Sequence, residues 1–76
     1  MDVRRRVALN IKRLRAALGL SQEELADRAG FHRTYISGVE RVVRNPTITA
    51  LDRIATALEV PLAELVSEPS APVREQ

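Results

Sequence analysis

The stretch of sequence that decides the fold covers residues 21–41 and reads SQEELADRAGFHRTYISGVER. Ser21 can cap the start of a helix, and Glu24, three residues later, completes a capping box. Gly30 ends that helix, because glycine tolerates the positive φ that a tight turn requires. A second helix follows almost at once and extends to near Arg41. The stretch therefore predicts two short helices joined by a very short turn.

The apolar positions in this stretch fit two helices that cross steeply. A small residue must stand in the middle of the first helix, where the second helix approaches, and Ala26 meets that requirement. The other inward positions are Leu25, Ala29, Phe31, Ile36 and Val39. Small all-helical domains share parts of this pattern, but all of its requirements are met together here. The sequence therefore predicts a helix-turn-helix.

Apolar residues recur at helical spacing on both sides of this stretch. Before it, the inward face of a helix is formed by Val7, Ile11, Leu14 and Leu18. After it, the inward face of another helix is formed by Leu51, Ile54, Ala55 and Leu58. Gly19 marks a helix end, Thr47 offers an N-cap, and Pro61 suits the first turn of a short last helix. The predicted helices cover about residues 3–18, 22–29, 33–41, 48–58 and 61–67.

A chain of 76 residues is enough for one small domain. We expect an all-α, compact five-helix domain over residues 1–67. Residues 68–76 contain two prolines and no apolar pattern, so we expect a mobile tail there.

The composition excludes several classes of function. The absence of cysteine rules out disulfides, thiolate metal sites and cysteine nucleophiles. His32 is the only histidine and has no second ligand at suitable spacing, so we expect no metal. There is no phosphate-binding glycine loop and no paired carboxylate in an evident pocket, so we expect neither an enzyme nor a cofactor. No apolar segment suits a signal peptide or a membrane span, and a cytoplasmic protein without a membrane partner is expected.

Charge is distributed unevenly along the chain. Residues 1–45 hold ten Arg and Lys against five Asp and Glu, whereas residues 46–76 hold two against five. A domain that presents one face to a polyanion needs such asymmetry, although a merely solvated basic face also explains it. Nucleic acid is therefore a candidate partner.

Residues 21–41 resemble the motif of Cro/CI-type, or xenobiotic-response-element-type, regulators. Residues 44–60, RNPTITALDRIATALEV, are similar to the loop and fourth helix of that family. The resemblance covers about residues 4–67, and the short form is similar to restriction–modification controller proteins, orphan regulators and some antitoxins.

The resemblance implies a lambda-repressor-like fold and a sequence-specific regulator of transcription. Such a protein binds a (pseudo)palindromic operator in double-stranded DNA as a homodimer, with helix 3 in the major groove. The alternative is an antitoxin or other protein-interaction module whose DNA binding is autoregulatory. No ligand-sensing domain is evident, so no small-molecule ligand is expected.

The resemblance assigns base contacts to the exposed face of helix 3. The residues concerned are Arg33, Thr34, Ser37 and Gly38. Arg33 is the best candidate for reading guanine, because a guanidinium can donate two hydrogen bonds to O6 and N7; the alternative is a phosphate contact. Gly38 has no side chain and would allow close approach to DNA.

Contacts to the DNA backbone are implied for a second group of residues. These are Gln22, His32, Tyr35, Arg41, Arg44, Asn45 and Thr47. Gln22 is otherwise an exposed polar residue, and His32 is otherwise a solvated loop residue. The Tyr35 hydroxyl reaches a phosphate in one interpretation, and the ring is only a partly buried core residue in the other.

Two further features concern the geometry of helix 3. The family often has an ion pair between helix 1 and this helix, and Arg15 and Glu40 occupy those positions. The family also commonly has a glycine where this chain has Val42, followed by Val43. The cap of helix 3 is therefore unusual, and the two valines are either exposed or packed on helix 4.

Two interaction surfaces are also predicted. The candidates for a dimer interface are Ile48, Pro61, Leu62, Leu65 and Val66. Leu62 and Leu65 alternatively close the core of the monomer. An acidic surface for RNA polymerase is available at Glu23, Glu24 and Asp27, although capping and solvation of helix 2 explain these residues adequately.

Overall fold

The computed structural model describes residues 2–68, which form five α-helices and no strand. The helices are α1 (Val3–Ala17), α2 (Gln22–Ala29), α3 (Arg33–Glu40), α4 (Ile48–Ala57) and α5 (Leu62–Val66). The predicted all-α fold and the five helices are confirmed. The predicted mobile tail lies outside the described residues, apart from Glu68.

Side-chain caps start the helices where the sequence predicts them. The Ser21 hydroxyl accepts a hydrogen bond from the Glu24 amide at 3.0 Å, and the Glu24 carboxylate accepts one from the Ser21 amide at 2.8 Å. Hydrogen bonding to the Ser21 backbone also lowers the pKa of the Glu24 carboxyl. Thr47 caps α4 through the Ala50 amide at 3.0 Å. Pro61 was expected inside α5, but it is the N-cap residue, since its ψ of 155° is extended.

Left-handed residues follow four of the helices. Gly19 and Gly30 take φ values of 70° and 79°, as expected for glycine at a helix end. Val42 and Glu59 take φ values of 62° and 64°, although each carries a Cβ that disfavours this conformation. The helix ends therefore share one backbone geometry, with glycine at only two of the four.

The core is aliphatic and draws on every helix. Its buried members are Val7, Ile11, Leu25, Ala26, Ala29, Ile36, Val39, Ile54, Ala55, Ala57, Leu58 and Leu65. The expectation for Leu18 was wrong: this residue caps the end of α1 and is 42% exposed. Leu20, beyond the turn, packs against the core instead.

A buried polar side chain on α1 holds the last helix in place. The Asn10 side-chain amide donates hydrogen bonds to the carbonyls of Leu65 at 3.0 Å and Ser67 at 2.8 Å. Arg6 adds a hydrogen bond to the Val66 carbonyl at 3.0 Å. These carbonyls lie at the end of α5 and lack intrahelical partners. Side chains of α1 therefore supply the hydrogen-bond donors that α5 itself does not provide.

Candidate nucleic-acid interface

The turn between α2 and α3 has only three residues and is closed by its own backbone. The Gly30 amide donates to the Asp27 carbonyl at 3.3 Å, and the Phe31 amide donates to the Ala26 carbonyl at 2.9 Å. Leu25, Ala26 and Ala29 on α2 are buried together with Ile36 and Val39 on α3. The predicted helix-turn-helix is therefore present, with α3 held against α2 by apolar packing.

His32 begins α3 by a direct cap. Its Nδ1 accepts a hydrogen bond from the Thr34 amide at 3.1 Å and lies 2.9 Å from the Thr34 hydroxyl. Because Nδ1 accepts a backbone proton, the neutral ring carries its own proton on Nε2. His32 thus takes the N-cap place that Ser or Thr often fills, and its exposed ring edge lies beside the first turn of α3.

The first turn of α3 presents two exposed side chains. Arg33 and Thr34 are both exposed, and within residues 2–68 the Arg33 guanidinium forms no hydrogen bond or ion pair. Ser37, one turn later, is half-buried, and its hydroxyl oxygen lies 3.3 Å from Arg41 Nε. Arg33 is consequently the residue of this face whose donors are all available to a ligand.

Gly38 does not lie on the exposed face of α3, where it was predicted. It is buried, and the side chains of Arg44 and Val43 lie over it so closely that a Cβ would clash with Arg44. Its carbonyl accepts hydrogen bonds from the amides of Val43 at 2.9 Å and Arg44 at 3.1 Å. The predicted base contact at Gly38 is therefore unavailable in this conformation, since the Arg44 side chain occupies the space.

The loop after α3 follows the path of a glycine cap without the glycine. The Val42 amide donates to the Val39 carbonyl at 3.1 Å, and the Val43 amide donates to Gly38, as in a Schellman motif. Val42 occupies the left-handed position at φ 62° and is half-buried, whereas Val43 is 64% exposed. Val43 thus follows the alternative of exposure, whereas Val42 lines a groove with Ala8 and Leu9 of α1 instead of forming the predicted contact with α4.

A buried carboxylate joins α1, α2 and α3. Glu40 accepts from Arg15 Nε at 2.8 Å and from Arg15 Nη2 at 3.0 Å, so the ion pair is bidentate. The Gln22 amide donates to the same carboxylate at 2.9 Å, and Arg15 Nη1 donates to the Leu20 carbonyl at 3.0 Å. The Glu40 side chain is only 2% exposed, so this network fixes Gln22 beside the last turn of α3.

Aromatic side chains gather at the surface of the helix-turn-helix. The Phe31 and Tyr35 rings stack with centroids 4.6 Å apart, and both residues are half-buried. Arg44 Cζ lies 5.7 Å from the Tyr35 ring centroid, and Arg53 Cζ lies 4.4 Å from that of Phe31. Arg53 was missed in the sequence, because an exposed arginine on a helix surface carries no local signal.

The remaining backbone-contact candidates lie on the exposed rim around α3. Arg41 and Arg44 are exposed at the end of the helix and in the loop. Asn45 and Thr47 are exposed between that loop and α4, where the Thr47 hydroxyl is also the cap of α4. These residues extend the polar face beyond α3.

The predicted dimer residues separate into two groups. Leu65 is 0% exposed, so its assignment to the interface was wrong: it belongs to the monomer core. Ile48 is 71% exposed, Pro61 is exposed, and Leu62 and Val66 are half-buried. An open cavity of about 310 Å³ lies between α1, α4 and α5, with Val3, Ile48, Leu51, Leu62 and Val66 among its lining residues.

Neither a cluster of metal ligands nor a membrane-spanning helix occurs in the described part of the chain. Among residues 2–68, no group of three or more histidine, aspartate or glutamate residues is placed to hold a metal ion. None of the five helices combines the length and the apolar character needed to cross a membrane.

Comparisons with known proteins point to helix-turn-helix transcriptional regulators. A family model described as helix-turn-helix matches residues 11–65. An uncharacterised HTH-type transcriptional regulator, y4dJ of Sinorhizobium fredii, is 48% identical over 67 residues, covering 88% of this chain and 87% of the relative. The crystal structure of a hypothetical transcription factor from Neisseria superposes with a TM-score of 0.87 at 40% identity, covering 90% of this chain and 78% of that one.

A controller protein is also similar. The restriction–modification controller protein C.Esp1396I superposes with a TM-score of 0.79 at 40% identity, covering 86% of this chain and 84% of that one. Crystal structures of its variants carry substitutions at three consecutive residues, an arginine, a threonine and a tyrosine.

Proposed function

We propose, because this chain belongs to the helix-turn-helix family, that it is a transcriptional regulator that binds duplex DNA in a sequence-specific manner. The observation that carries the proposal is the exposed first turn of α3. Arg33 and Thr34 are exposed there on a helix that α2 holds by packing, and Gln22 is hydrogen-bonded to Glu40 at the other end of the same helix. A rigid helix that presents uncommitted donors suits the major groove.

Arg33 is proposed to read a guanine, with Thr34 and Ser37 beside it on the same face. A guanidinium that is engaged with no other group can offer two parallel donors to O6 and N7. The run of arginine, threonine and tyrosine replaced in the controller-protein variants has the same order as Arg33, Thr34 and Tyr35. This agreement supports a role for the three residues in recognition.

Gln22 is proposed to hold a DNA phosphate at the start of α2. One of its amide hydrogens is engaged by Glu40 at 2.9 Å, and the second is available to an anion. The amides in the first turn of α2 and the helix dipole favour the same ligand. The polar rim residues His32, Arg41, Arg44, Asn45 and Thr47 are proposed to contact the sugar-phosphate backbone on either side.

A homodimer is proposed to carry two recognition helices. The exposed Ile48 and the apolar cavity beside it support this arrangement, because the burial of exposed apolar surface is favourable. Leu62, Val66 and Pro61 extend the same surface. Two such protomers would meet half-sites about 34 Å apart, one turn of the DNA helix.

We also propose that the protein acts by binding DNA and not by catalysis. A cytoplasmic location and a contact with RNA polymerase through the exposed Glu23 and Asp27 stay predictions. Glu24 is engaged in the capping box, which leaves less of its carboxylate for a partner.

Selection of bound duplexes from a random pool tests the function. We expect a two-fold symmetric site and binding that weakens steeply with salt, because bound phosphates release counterions. A dimer that contacts about six to ten phosphates would lose about three to five orders of magnitude in affinity between 50 and 200 mM salt. Binding that does not weaken as salt rises, or a pool without sequence enrichment, would contradict the proposal.

A further inference from the structure

Four side chains form a continuous stack across the helix-turn-helix, and we call it the column. Arg53 lies over Phe31 at 4.4 Å, Phe31 stacks on Tyr35 at 4.6 Å, and Arg44 lies over Tyr35 at 5.7 Å. The planes of the two rings differ by 26°. Positive groups at both ends of a pair of aromatic faces attract the rings that they cover.

The column joins parts of the chain that are distant in sequence. Arg53 belongs to α4, Phe31 to the turn, Tyr35 to α3, and Arg44 to the loop beyond α3. Tyr35 and Arg44 belong to the proposed DNA-binding face, whereas Arg53 lies at the opposite end of the stack. Substitution of Arg53 can therefore affect Tyr35 and Arg44 on that face through the contacts of the column.

Arg53 is fixed more firmly than an ordinary surface arginine. Its Nε donates to the Ala29 carbonyl and its Nη2 to the Gly30 carbonyl, both at 3.1 Å. These carbonyls end α2, so the guanidinium satisfies acceptors that the helix leaves open. The planar fork of arginine suits two adjacent acceptors, and lysine cannot reproduce it.

Two glycines make room for the two arginines. A Cβ at Gly30 would clash with the Arg53 guanidinium, and a Cβ at Gly38 would clash with the Arg44 side chain. Each end of the column thus lies over a residue that has no side chain. Glycine at these two positions of the helix-turn-helix therefore leaves space for the arginine side chains at both ends of the column.

We propose that Arg53 is a positioning residue for DNA recognition, which acts through Phe31 on Tyr35 and Arg44 without contacting DNA. The proposal rests on the DNA-binding function proposed above. Loss of the guanidinium removes the clamp on the turn and uncovers one face of Phe31. The Phe31 and Tyr35 rings then lose their fixed orientation, and Arg44 loses the surface on which it lies.

The column can be tested in the free protein. Tyr35 is the only tyrosine and the chain has no tryptophan, so intrinsic fluorescence reports on the column directly. We expect Arg53→Met to change Tyr35 emission, while circular dichroism verifies that the helices persist. Arg28→Met is the matched control, because Arg28 lines the same groove as Arg53 but pairs with Glu59 outside the column.

DNA binding supplies the second measurement. We expect Arg53→Met to lower affinity for the selected duplex about tenfold, within the range for residues that act through others. Arg53→Lys should recover only part of that loss, since it keeps the charge but not the fork. The dependence of binding on salt should match that of Arg28→Met, which removes the same charge.

Three results would overturn the proposal. Unchanged Tyr35 emission in Arg53→Met would show that the column does not hold the ring. Full affinity in Arg53→Lys, together with a salt slope lower by about one in Arg53→Met alone, would indicate a direct phosphate contact. A wild-type chain that binds no duplex would overturn the DNA-binding function and this role together, while the emission would still decide whether the column holds Tyr35.

Discussion

Arg33 and Gln22 are placed for different tasks, although both are polar residues at the start of a helix. Arg33 has no partner within residues 2–68, whereas Gln22 is bound to a buried carboxylate. A side chain that reads a base must be able to adjust to that base. A side chain that holds a phosphate gains from being fixed in advance, because every sequence offers the same phosphate.

Substitution of these two residues should therefore separate specificity from affinity. Arg33→Ala should relax preference at one base position in each half-site, at a cost of about 1–3 kcal/mol for the preferred duplex. Gln22→Ala should weaken all duplexes alike. Competition binding with single-base variants of the selected site measures both effects. Uniform loss of affinity in both variants would show that Arg33 contacts the backbone instead of a base.

Glycine substitution should stabilise the domain at the two non-glycine residues that have a left-handed backbone. Glu59→Gly should raise the free energy of unfolding by up to about 1 kcal/mol, because the Cβ is strained at φ 64°. Val42→Gly should gain less, since Val42 is half-buried and its apolar contacts are lost. Denaturant unfolding gives the values.

Glu59→Ala is the control for that measurement. It removes the exposed contact with Arg28 but keeps the Cβ, so its stability should stay close to wild type. An equal gain in the alanine and glycine variants would mean that the side chain, and not the backbone, is the source of strain.

Individual residues differ in how well the sequence predicts them. The caps at Ser21 and Thr47 were predictable because each bonds a residue three positions away. Asn10 was not, because its partner Leu65 is 55 residues distant, and the pairing exists only once α1 and α5 have met. The burial of Gly38 was missed for a different reason, since the Arg44 side chain that covers it depends on the path of the following loop.

At the scale of helices, the orientation of α3 depends on one carboxylate. Apolar packing presses α3 onto α2, but apolar contacts are not directional. Glu40 adds direction by joining Arg15 of α1 and Gln22 of α2 to the last turn of α3. The motif alone predicts α2 and α3, whereas this link to α1 came from the family resemblance.

Removal of that charge should destabilise the domain. Glu40→Gln leaves the Arg15 guanidinium without its carboxylate, and we expect a loss of about 2–4 kcal/mol. Glu64→Gln is the control, because its pair with Arg13 spans 3.8 Å and both side chains are about half exposed, so the loss should stay below about 1 kcal/mol.

A double variant separates the effect of losing the ion pair from the effect of leaving one buried charge unpaired. The double variant with Arg15→Met and Glu40→Met should recover part of the loss, since it leaves no unpaired charge inside. Denaturant unfolding at constant pH measures all of these variants. A loss in Glu40→Gln no greater than in Glu64→Gln would show that the buried pair does not hold α3.

At the scale of the whole molecule, the polar and apolar surfaces lie on different helices. The exposed polar residues of the proposed DNA face come from α2, α3 and the loop that follows. The exposed apolar residues around the open cavity come from the start of α1, from α4 and from α5. The proposed DNA face and the proposed dimer surface meet at Asn45, which lines the cavity, and are otherwise formed by different residues. The proposals for DNA binding and for a homodimer are therefore compatible.

A charge placed on the apolar surface should prevent association. Ile48→Glu should raise the dissociation constant of the dimer at least about tenfold, because an unpaired carboxylate would be buried. Leu18→Glu makes a comparable change at another exposed residue, and its association should match wild type. Sedimentation over a range of concentrations measures both, and equal association of Ile48→Glu and wild type would exclude this surface.

The dependence of α5 on α1 also sets an order of events during protein synthesis. A helix of five residues is too short to persist alone, and α5 is held by Asn10 and by the core residue Leu65. It is also the last of the five helices to leave the ribosome. An unfinished copy that still lacks Leu62 and Val66 would therefore also lack part of the proposed dimer surface.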